Sequence, residues 1–114
     1  MTQAWVILTG RDGRDITAPT EHQLASALAE VFGGGKGEKA SATLRFGYAD
    51  GLMYQAEVTS TGEIRFEEWS DRDCEIALAE PRRMTASKKE ALQLWCMLAR
   101  RQVSKIRDLA WSTG

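Results

Sequence analysis

Three consecutive segments in the middle of the chain alternate apolar and polar side chains, and this pattern constrains the fold most. Apolar residues occupy every second position through 42–48, 52–58 and 64–66, with polar residues or small ones between most of them. A period of two places alternate side chains on opposite faces of a β-strand. The pattern therefore predicts three strands of an antiparallel sheet that has one apolar face.

The spacing between these segments also determines how the strands pair. A two-residue turn at Asp50-Gly51 would place Phe46 opposite a polar side chain, which a half-buried sheet does not allow. A three-residue loop instead pairs Phe46 with Tyr54 and puts Gly51 in the left-handed position of a bulged turn. The same kind of loop at 60–62 brings the next strand into the same register.

This register has consequences for single side chains at the end of the third strand. Glu68 falls on the apolar face, so the strand either frays or bulges there, or the residue lies at the sheet edge. On the polar face, Glu57 lies opposite Arg65 at a spacing that suits a cross-strand ion pair. Trp69 falls on the same polar face beside Met53, unless a bulge turns it inward.

Two helices are indicated by capping-box sequences that begin at Thr20 and Ser87. Each is followed by apolar residues at spacings of three and four, and Gly33 ends the first helix. The second helix either ends near Arg101 and is followed by a short last segment, or it continues to Ala110. The shorter helix is favoured.

The remaining segments complete an α+β prediction. Residues 4–9 are apolar and β-branched and predict a first strand, and residues 74–79 alternate weakly and predict a further one. The expected architecture over residues 1–114 is a single α+β domain, an antiparallel β-meander sheet of four to five strands packed against two main helices.

Composition and local pattern exclude several classes of protein. The chain is 43% hydrophobic and 27% charged, which is typical of a globular domain. No apolar run approaches the roughly 20 residues that span a bilayer, and the first residues show no secretory signal. Two cysteines make no disulfide framework, so we expect a cytoplasmic protein. Because no apolar run is long enough to span a bilayer, we expect no association with membranes.

Tests for catalytic and ligand-binding motifs give negative results. The glycine-rich loop 33–39 follows a predicted helix and lacks the Ser or Thr that a phosphate-binding loop needs after its Gly-Lys pair. His22 is the only histidine, and Cys74 and Cys96 are too far apart in sequence for a zinc-binding pair. We therefore expect no enzymatic activity, no metal and no cofactor.

Charge is distributed unevenly along the chain. Residues 1–80 carry 7 basic and 14 acidic side chains, whereas residues 81–114 carry 8 basic and 2 acidic ones. The acidic stretch 57–80 contains Trp69, and an aromatic residue among acids is typical of a surface that binds a basic protein. The alternative is a solubilising face with Trp69 tucked under a neighbouring segment.

The meander 44–54, the acidic turn after it, and Pro81 followed by a helix together resemble a known family. With the terminal stretch 103–111 and its closing Trp111, they are similar to the small α+β immunity proteins encoded beside bacterial polymorphic toxins. These proteins belong to contact-dependent inhibition and type VI secretion systems. The resemblance extends from about residue 43 to residue 111.

The resemblance implies a cytoplasmic monomer that binds the C-terminal domain of a cognate toxin, often a nuclease or deaminase, in a 1:1 complex. The acidic surface would occlude the toxin's active site. The expected contact residues are Glu63, Glu67, Trp69, Asp71, Asp73 and Glu75.

Two other functions stay open from the sequence. One is a nucleic-acid-binding or regulatory module that uses the basic C-terminal helix, whose basic residues flank both helix ends. The other is a secretion or assembly chaperone, which would more often be dimeric. Protein binding is favoured over nucleic-acid binding because no nucleic-acid-recognition motif is present.

Overall fold

A six-stranded antiparallel sheet and three helices form the described part of the chain. The computed structural model describes residues 4–33, 40–48, 51–70, 76–78, 81–109 and 111. The strand order in the sheet is β2-β1-β3-β4-β5-β6. The elements in chain order are β1 (Ala4–Thr9), β2 (Asp15–Thr17), α1 (Glu21–Phe32), β3 (Ser41–Tyr48), β4 (Met53–Thr59), β5 (Glu63–Trp69), β6 (Arg82–Thr85), α2 (Lys88–Ala99) and α3 (Val103–Arg107).

The predicted register of the β3-β4-β5 meander is confirmed. Phe46 lies opposite Tyr54, and the register continues without a break into β5. Both three-residue loops end in a glycine with positive φ, 113° at Gly51 and 86° at Gly62. This is the left-handed conformation that a bulged three-residue turn requires. Asp50 lies outside the described residues.

The sheet has more strands than the sequence predicts, because two short strands were missed. β2 has three residues and β6 has four, and each pairs with only one neighbour in the described sheet. Segments this short carry too few apolar positions to show a period of two. Of the strand predicted at 74–79, only 76–78 are described, and they form a single bridge between Ala77 and Trp69. The α+β architecture with two main helices agrees with the structure, in which α1 and α2 have 12 residues each. Within the described residues the sheet has six strands, one more than the upper predicted number, and α3 is a short additional helix.

Both predicted capping boxes are present at the starts of the long helices. The side chains of Thr20 and Ser87 each accept a hydrogen bond from the backbone N–H three residues later. α1 ends before Gly33, as predicted, but Gly33 is its C-cap residue with a φ of −87° and does not take the left-handed conformation of a C′ glycine. α2 ends at Ala99, which confirms the shorter helix, and Arg101 with a φ of 63° separates it from α3.

All three helices contribute side chains to one core on the apolar face of the sheet. Trp95 of α2 is fully buried, and its Nε1–H donates to the carbonyl oxygen of Ala56 in β4 at 3.1 Å. Burying an indole without such an acceptor would leave a costly unsatisfied donor. The largest fully buried side chains are Trp95, Phe46, Phe66, Leu8, Leu24, Leu28, Leu44, Ile64, Leu94, Leu98, Ile106 and Val31.

The carboxylate of Glu68 lies on this apolar face and is bound by two arginines. Glu68 stays in register opposite Tyr54 and is 4% exposed, so β5 neither frays nor bulges at this position. Arg82 of β6 and Arg107 of α3 each form an ion pair with it. Burial alone would raise the pKa of Glu68, but the hydrogen bonds and positive charges of Arg107 and Arg82 hold the pKa below its ordinary value.

Trp111 provides a second attachment of the C-terminal segment to the sheet. Its ring stacks on Phe66 with 5.9 Å between the ring centroids. Its Nε1–H donates to the carbonyl oxygen of Ile106 at 2.7 Å. Together with the ion pair of Arg107, this stack holds α3 against β5.

Replacing the buried carboxylate should destabilise the fold in a pH-dependent way. We expect Glu68→Gln to lower the free energy of unfolding by about 2 kcal/mol near pH 7, because two arginines lose their shared anion. The pKa of Glu68 is lower in the folded than in the unfolded chain, so its contribution is present at neutral pH. That contribution is lost as the pH falls below about 4.5, and the two proteins should then converge.

Urea unfolding at several pH values measures this difference. A gap between the two proteins that stays constant from pH 7 to pH 3 would contradict the role assigned to the Glu68 carboxylate.

The turn between β4 and β5 offers a second test of the fold. A Cβ on Gly62 would lie 2.8 Å from the carbonyl oxygen of Ala86, in addition to the strain of its positive φ. Gly13 has a similar φ of 81°, but a Cβ there would meet nothing within 4 Å. We expect Gly13→Ala to cost about 1 kcal/mol and Gly62→Ala about 2 kcal/mol or more in thermal or urea unfolding. Equal costs would show that the contact with Ala86 is not rigid.

Candidate protein-binding face

The second face of the sheet is not covered by any helix in the described part of the chain, and we call it the open face. Its side chains alternate with those of the core along each strand. It combines aromatic, amide and charged groups. The residues of the open face are Trp5, Ile7, Thr9, Asp15, Thr17, Ser41, Thr43, Arg45, Gly47, Met53, Gln55, Glu57, Thr59, Glu63, Arg65, Glu67, Trp69, Arg83 and Thr85.

An apolar row crosses one end of the open face. Trp5, Gly47, Met53 and Trp69 lie side by side on four adjacent strands. A Cβ on Gly47 would come within 2.7 Å of Cε2 of Trp5, so the indole ring of Trp5 lies directly over the glycine. Met53 is buried, and both tryptophans are half-buried. We call these four residues the aromatic row.

The indole of Trp69 differs from the indoles of Trp95 and Trp111 in its hydrogen bonding. Its Nε1 is buried, and no acceptor among the described residues lies within hydrogen-bond distance. In contrast, Trp95 and Trp111 each donate to a backbone carbonyl. An unsatisfied buried donor of this kind costs about 1–3 kcal/mol. Within the described part of the chain, the Nε1–H of Trp69 therefore lacks the kind of acceptor that the other two indoles have.

A hydrogen-bonded network occupies the centre of the open face. Arg45 donates from Nε to Gln55 at 2.9 Å and from a terminal nitrogen to the hydroxyl of Thr9 at 3.1 Å. The amide nitrogen of Gln55 donates to Glu67 at 3.3 Å, and Nε of Arg65 lies 3.5 Å from the same carboxylate oxygen. The carboxylate of Glu67 is thus held by groups on its own face and is only 9% exposed.

The third region of the open face is a cavity of about 380 Å³ at the β4-β5 turn. Glu57 is half-buried and Glu63 is exposed there, and neither has an ion-pair partner among the described residues. Arg65 lies opposite Glu57 as predicted, but its ion pair is with Glu67 on its own strand. We call this the acidic cavity; its lining residues are Ala40, Ser41, Glu57, Thr59, Ser60, Thr61 and Glu63.

The predicted contact residues fall in three different environments. Glu63 lines the acidic cavity, Glu67 belongs to the central network and Trp69 to the aromatic row. All three share the open face, about 20 Å from end to end along β5. The other predicted contacts, Asp71, Asp73 and Glu75, lie outside the described residues.

Sequence reasoning missed two contributors to this face. Trp5 joins the aromatic row only because β1 pairs with β3, and no local pattern specifies that pairing. Glu57 was assigned to an ion pair with Arg65, whereas the structure places it in a cavity with Glu63. Glu57 and Glu63 are six residues apart, and an even spacing across a three-residue loop places both side chains on one face of the sheet. That spacing was the signal that could have found the acidic cavity.

No metal centre is present within the described residues. They contain no group of three or more His, Cys, Asp or Glu side chains arranged to hold a metal ion. His22 is exposed in the first turn of α1. Burial, with a smaller effect of the nearby carboxylate of Glu21, raises the pKa of the Cys96 thiol, which disfavours the reactive thiolate.

None of the helices in the described ranges has the length and apolar character that crossing a membrane requires. No protein-family model, curated protein or solved structure matches this chain. The function is therefore argued from the geometry and charge of the open face.

The contact between Trp5 and Gly47 can be tested by a double-mutant cycle. We expect Gly47→Ala to destabilise the fold by about 2 kcal/mol, because the new methyl group displaces the indole. In a Trp5→Ala background the same change should cost less by about 1 kcal/mol, as measured by urea unfolding. The residual cost reflects the carbonyl oxygen of Leu52, which would lie 2.9 Å from the new Cβ. Additive costs would contradict the stacking of Trp5 over Gly47.

Proposed function

We propose that this chain is a non-catalytic protein of the immunity type, which binds a cognate toxin domain through its open face and occludes the toxin's active site. The observation that carries the proposal is that some carboxylates on that face are paired within the protein and others are not. The central carboxylate of Glu67 is satisfied internally, whereas Glu57 and Glu63 have no ion-pair partner among the described residues. These two carboxylates therefore offer negative charge to a partner at the β4-β5 end of the open face.

The acidic cavity suits a basic side chain of a partner. A guanidinium or ammonium group has only donors, and the cavity presents two carboxylates together with several hydroxyls as acceptors. Hydrogen bonds between ionised groups of this kind are roughly twice as strong as neutral ones. Toxin domains that act on nucleic acids need cationic clefts to hold phosphates, and an arginine or lysine of such a cleft would fill the cavity.

The aromatic row supplies the second element of a binding surface. Tryptophan and methionine are enriched in the buried centres of protein interfaces, where a few such residues carry most of the binding free energy. A partner that packed against the row could allow Trp69 to reorient and satisfy its Nε1–H. The aromatic row then contributes affinity, and the acidic cavity contributes orientation and a faster association rate.

The central network lies between these two regions and keeps the surface rigid. Arg45, Gln55 and Glu67 hold one another across three strands, so few side chains would lose freedom on binding. We place the protein in the cytoplasm as a monomer that forms a 1:1 complex with the toxin domain.

Affinity capture tests this function. Tagged protein is incubated with nuclease-treated lysate of the source organism and washed at about 0.5 M salt, where binding through phosphates is largely lost. We expect one stoichiometric protein, identified by mass spectrometry as a toxin domain whose activity stops when the complex forms. A capture that disappears with nuclease treatment, or a partner that stays active in the complex, would contradict the proposal.

The binding face is tested with two matched charge reversals. Glu63 on the open face and Glu30 on α1 are both exposed, so Glu63→Lys and Glu30→Lys change the net charge equally. We expect Glu63→Lys to weaken the complex by about tenfold or more, and Glu30→Lys by less than about twofold. Calorimetric titration with the captured toxin domain gives both values. Equal effects would place the contact elsewhere on the molecule.

A further inference from the structure

The helix layer carries a groove that the proposed function does not use. It has a volume of about 550 Å³ and lies between α1, the solvent side of α2 and α3. Because the helices cover the apolar face of the sheet, the groove is on the opposite side of the molecule from the open face. We call it the helix-side groove; its lining residues are Glu21, Lys89, Leu92, Gln93, Cys96, Met97, Arg100, Gln102 and Lys105.

The floor of the groove is apolar and its rim is basic. Leu92, Cys96 and Met97 are half-buried, which leaves part of each side chain accessible between the helices. Lys89 and Arg100 lie eleven residues apart at the two ends of α2, about 16 Å along its axis. Methionine adapts its shape to irregular apolar partners, and surfaces that bind amphipathic helices use it often.

The cations of the rim are free to bind an anionic partner. Lys89, Arg100 and Lys105 have no ion-pair partner among the described residues. In contrast, Arg82 and Arg107 are committed to Glu68. The only carboxylate among the lining residues is that of Glu21, so the described groove presents three positive charges against one negative charge.

The combination of floor and rim favours a peptide over a nucleic acid. A single-stranded nucleic acid binds through phosphates and through stacking of its bases on aromatic side chains. The lining residues of the groove include no aromatic side chain. An amphipathic helix would bury apolar side chains at i, i+3/i+4 and i+7 on this floor, and a length of about 16 Å corresponds to three helical turns.

We propose that the helix-side groove binds an acidic amphipathic helix of a partner protein. The apolar stripe of that helix packs on Leu92, Cys96 and Met97. Its carboxylates pair with Lys89, Arg100 and Lys105. This inference does not rest on the proposed function, because the two surfaces lie on opposite sides of the sheet and share no residue.

A synthetic peptide tests the proposal on the full chain. The probe is a fluorescein-labelled peptide of about 16 residues, with leucines at spacings of three and four and glutamates on both flanks. The comparison probes are a scrambled peptide of the same composition and a single-stranded oligonucleotide of about 20 nucleotides. We expect fluorescence anisotropy to show that the amphipathic peptide binds about tenfold more tightly than either comparison probe.

Two adjacent lysines provide the matched control. Lys89 lines the groove and Lys88 does not, and both are exposed in the first turn of α2. We expect Lys89→Glu to weaken peptide binding by about fivefold or more, and Lys88→Glu by less than about twofold. Met97→Ser should also weaken it by about fivefold, because the floor loses apolar contact area.

The outcomes separate this proposal from its alternatives. Equal binding of the scrambled peptide would show that charge alone attracts the peptide, and it would contradict the proposal that the groove binds an amphipathic helix. Tighter binding of the oligonucleotide would show that the basic rim binds nucleic acid, and it would also contradict the proposal. The variant Glu63→Lys should leave peptide binding unchanged, so a failure of the open face as a toxin-binding surface does not affect this result.

Discussion

The odd length of the two turns that flank β4 decides which face of the sheet every neighbouring side chain occupies. Three residues in each loop, closed by Gly51 and Gly62 at positive φ, keep the apolar sets of β3, β4 and β5 on one side. A change of one residue in either loop would move a complete strand's core side chains into solvent. The core, the open face and the acidic cavity all depend on this parity.

The same parity places a carboxylate where an apolar side chain would be expected. Glu68 follows Ile64 and Phe66 on the core side, and the structure accommodates it by bringing two arginines from outside the meander. This arrangement gives α3, which has only five residues, an attachment to β5 in addition to the buried side chain of Ile106. The carboxylate of Glu68, at a position of β5 where the alternation calls for an apolar side chain, therefore helps to position the C-terminal part of the fold.

The sequence predicted those parts of the molecule whose signals are local. The meander register and both capping boxes depend on residues a few positions apart, and all of them were found. β6 and β2 were missed because three or four residues show no clear period. The role of Trp5 could not be predicted, because it follows from the pairing of β1 with β3. The role of Glu57 could not be predicted, because it depends on Arg65 pairing with Glu67 on its own strand and not with Glu57 opposite. The binding role of Glu63 and Trp69 stays a prediction.

The ion pairs of Glu68 also link the burial of the meander to segments that are synthesised later. The ribosome makes Glu68 before it makes Arg82 and Arg107, and the second of these lies 39 residues later. Before these segments emerge, the apolar face of the meander is uncovered and the carboxylate of Glu68 lies in water. Covering that face with the helices and supplying the two arginines are therefore steps that must occur together, because burial without the counter-ions would be strongly unfavourable.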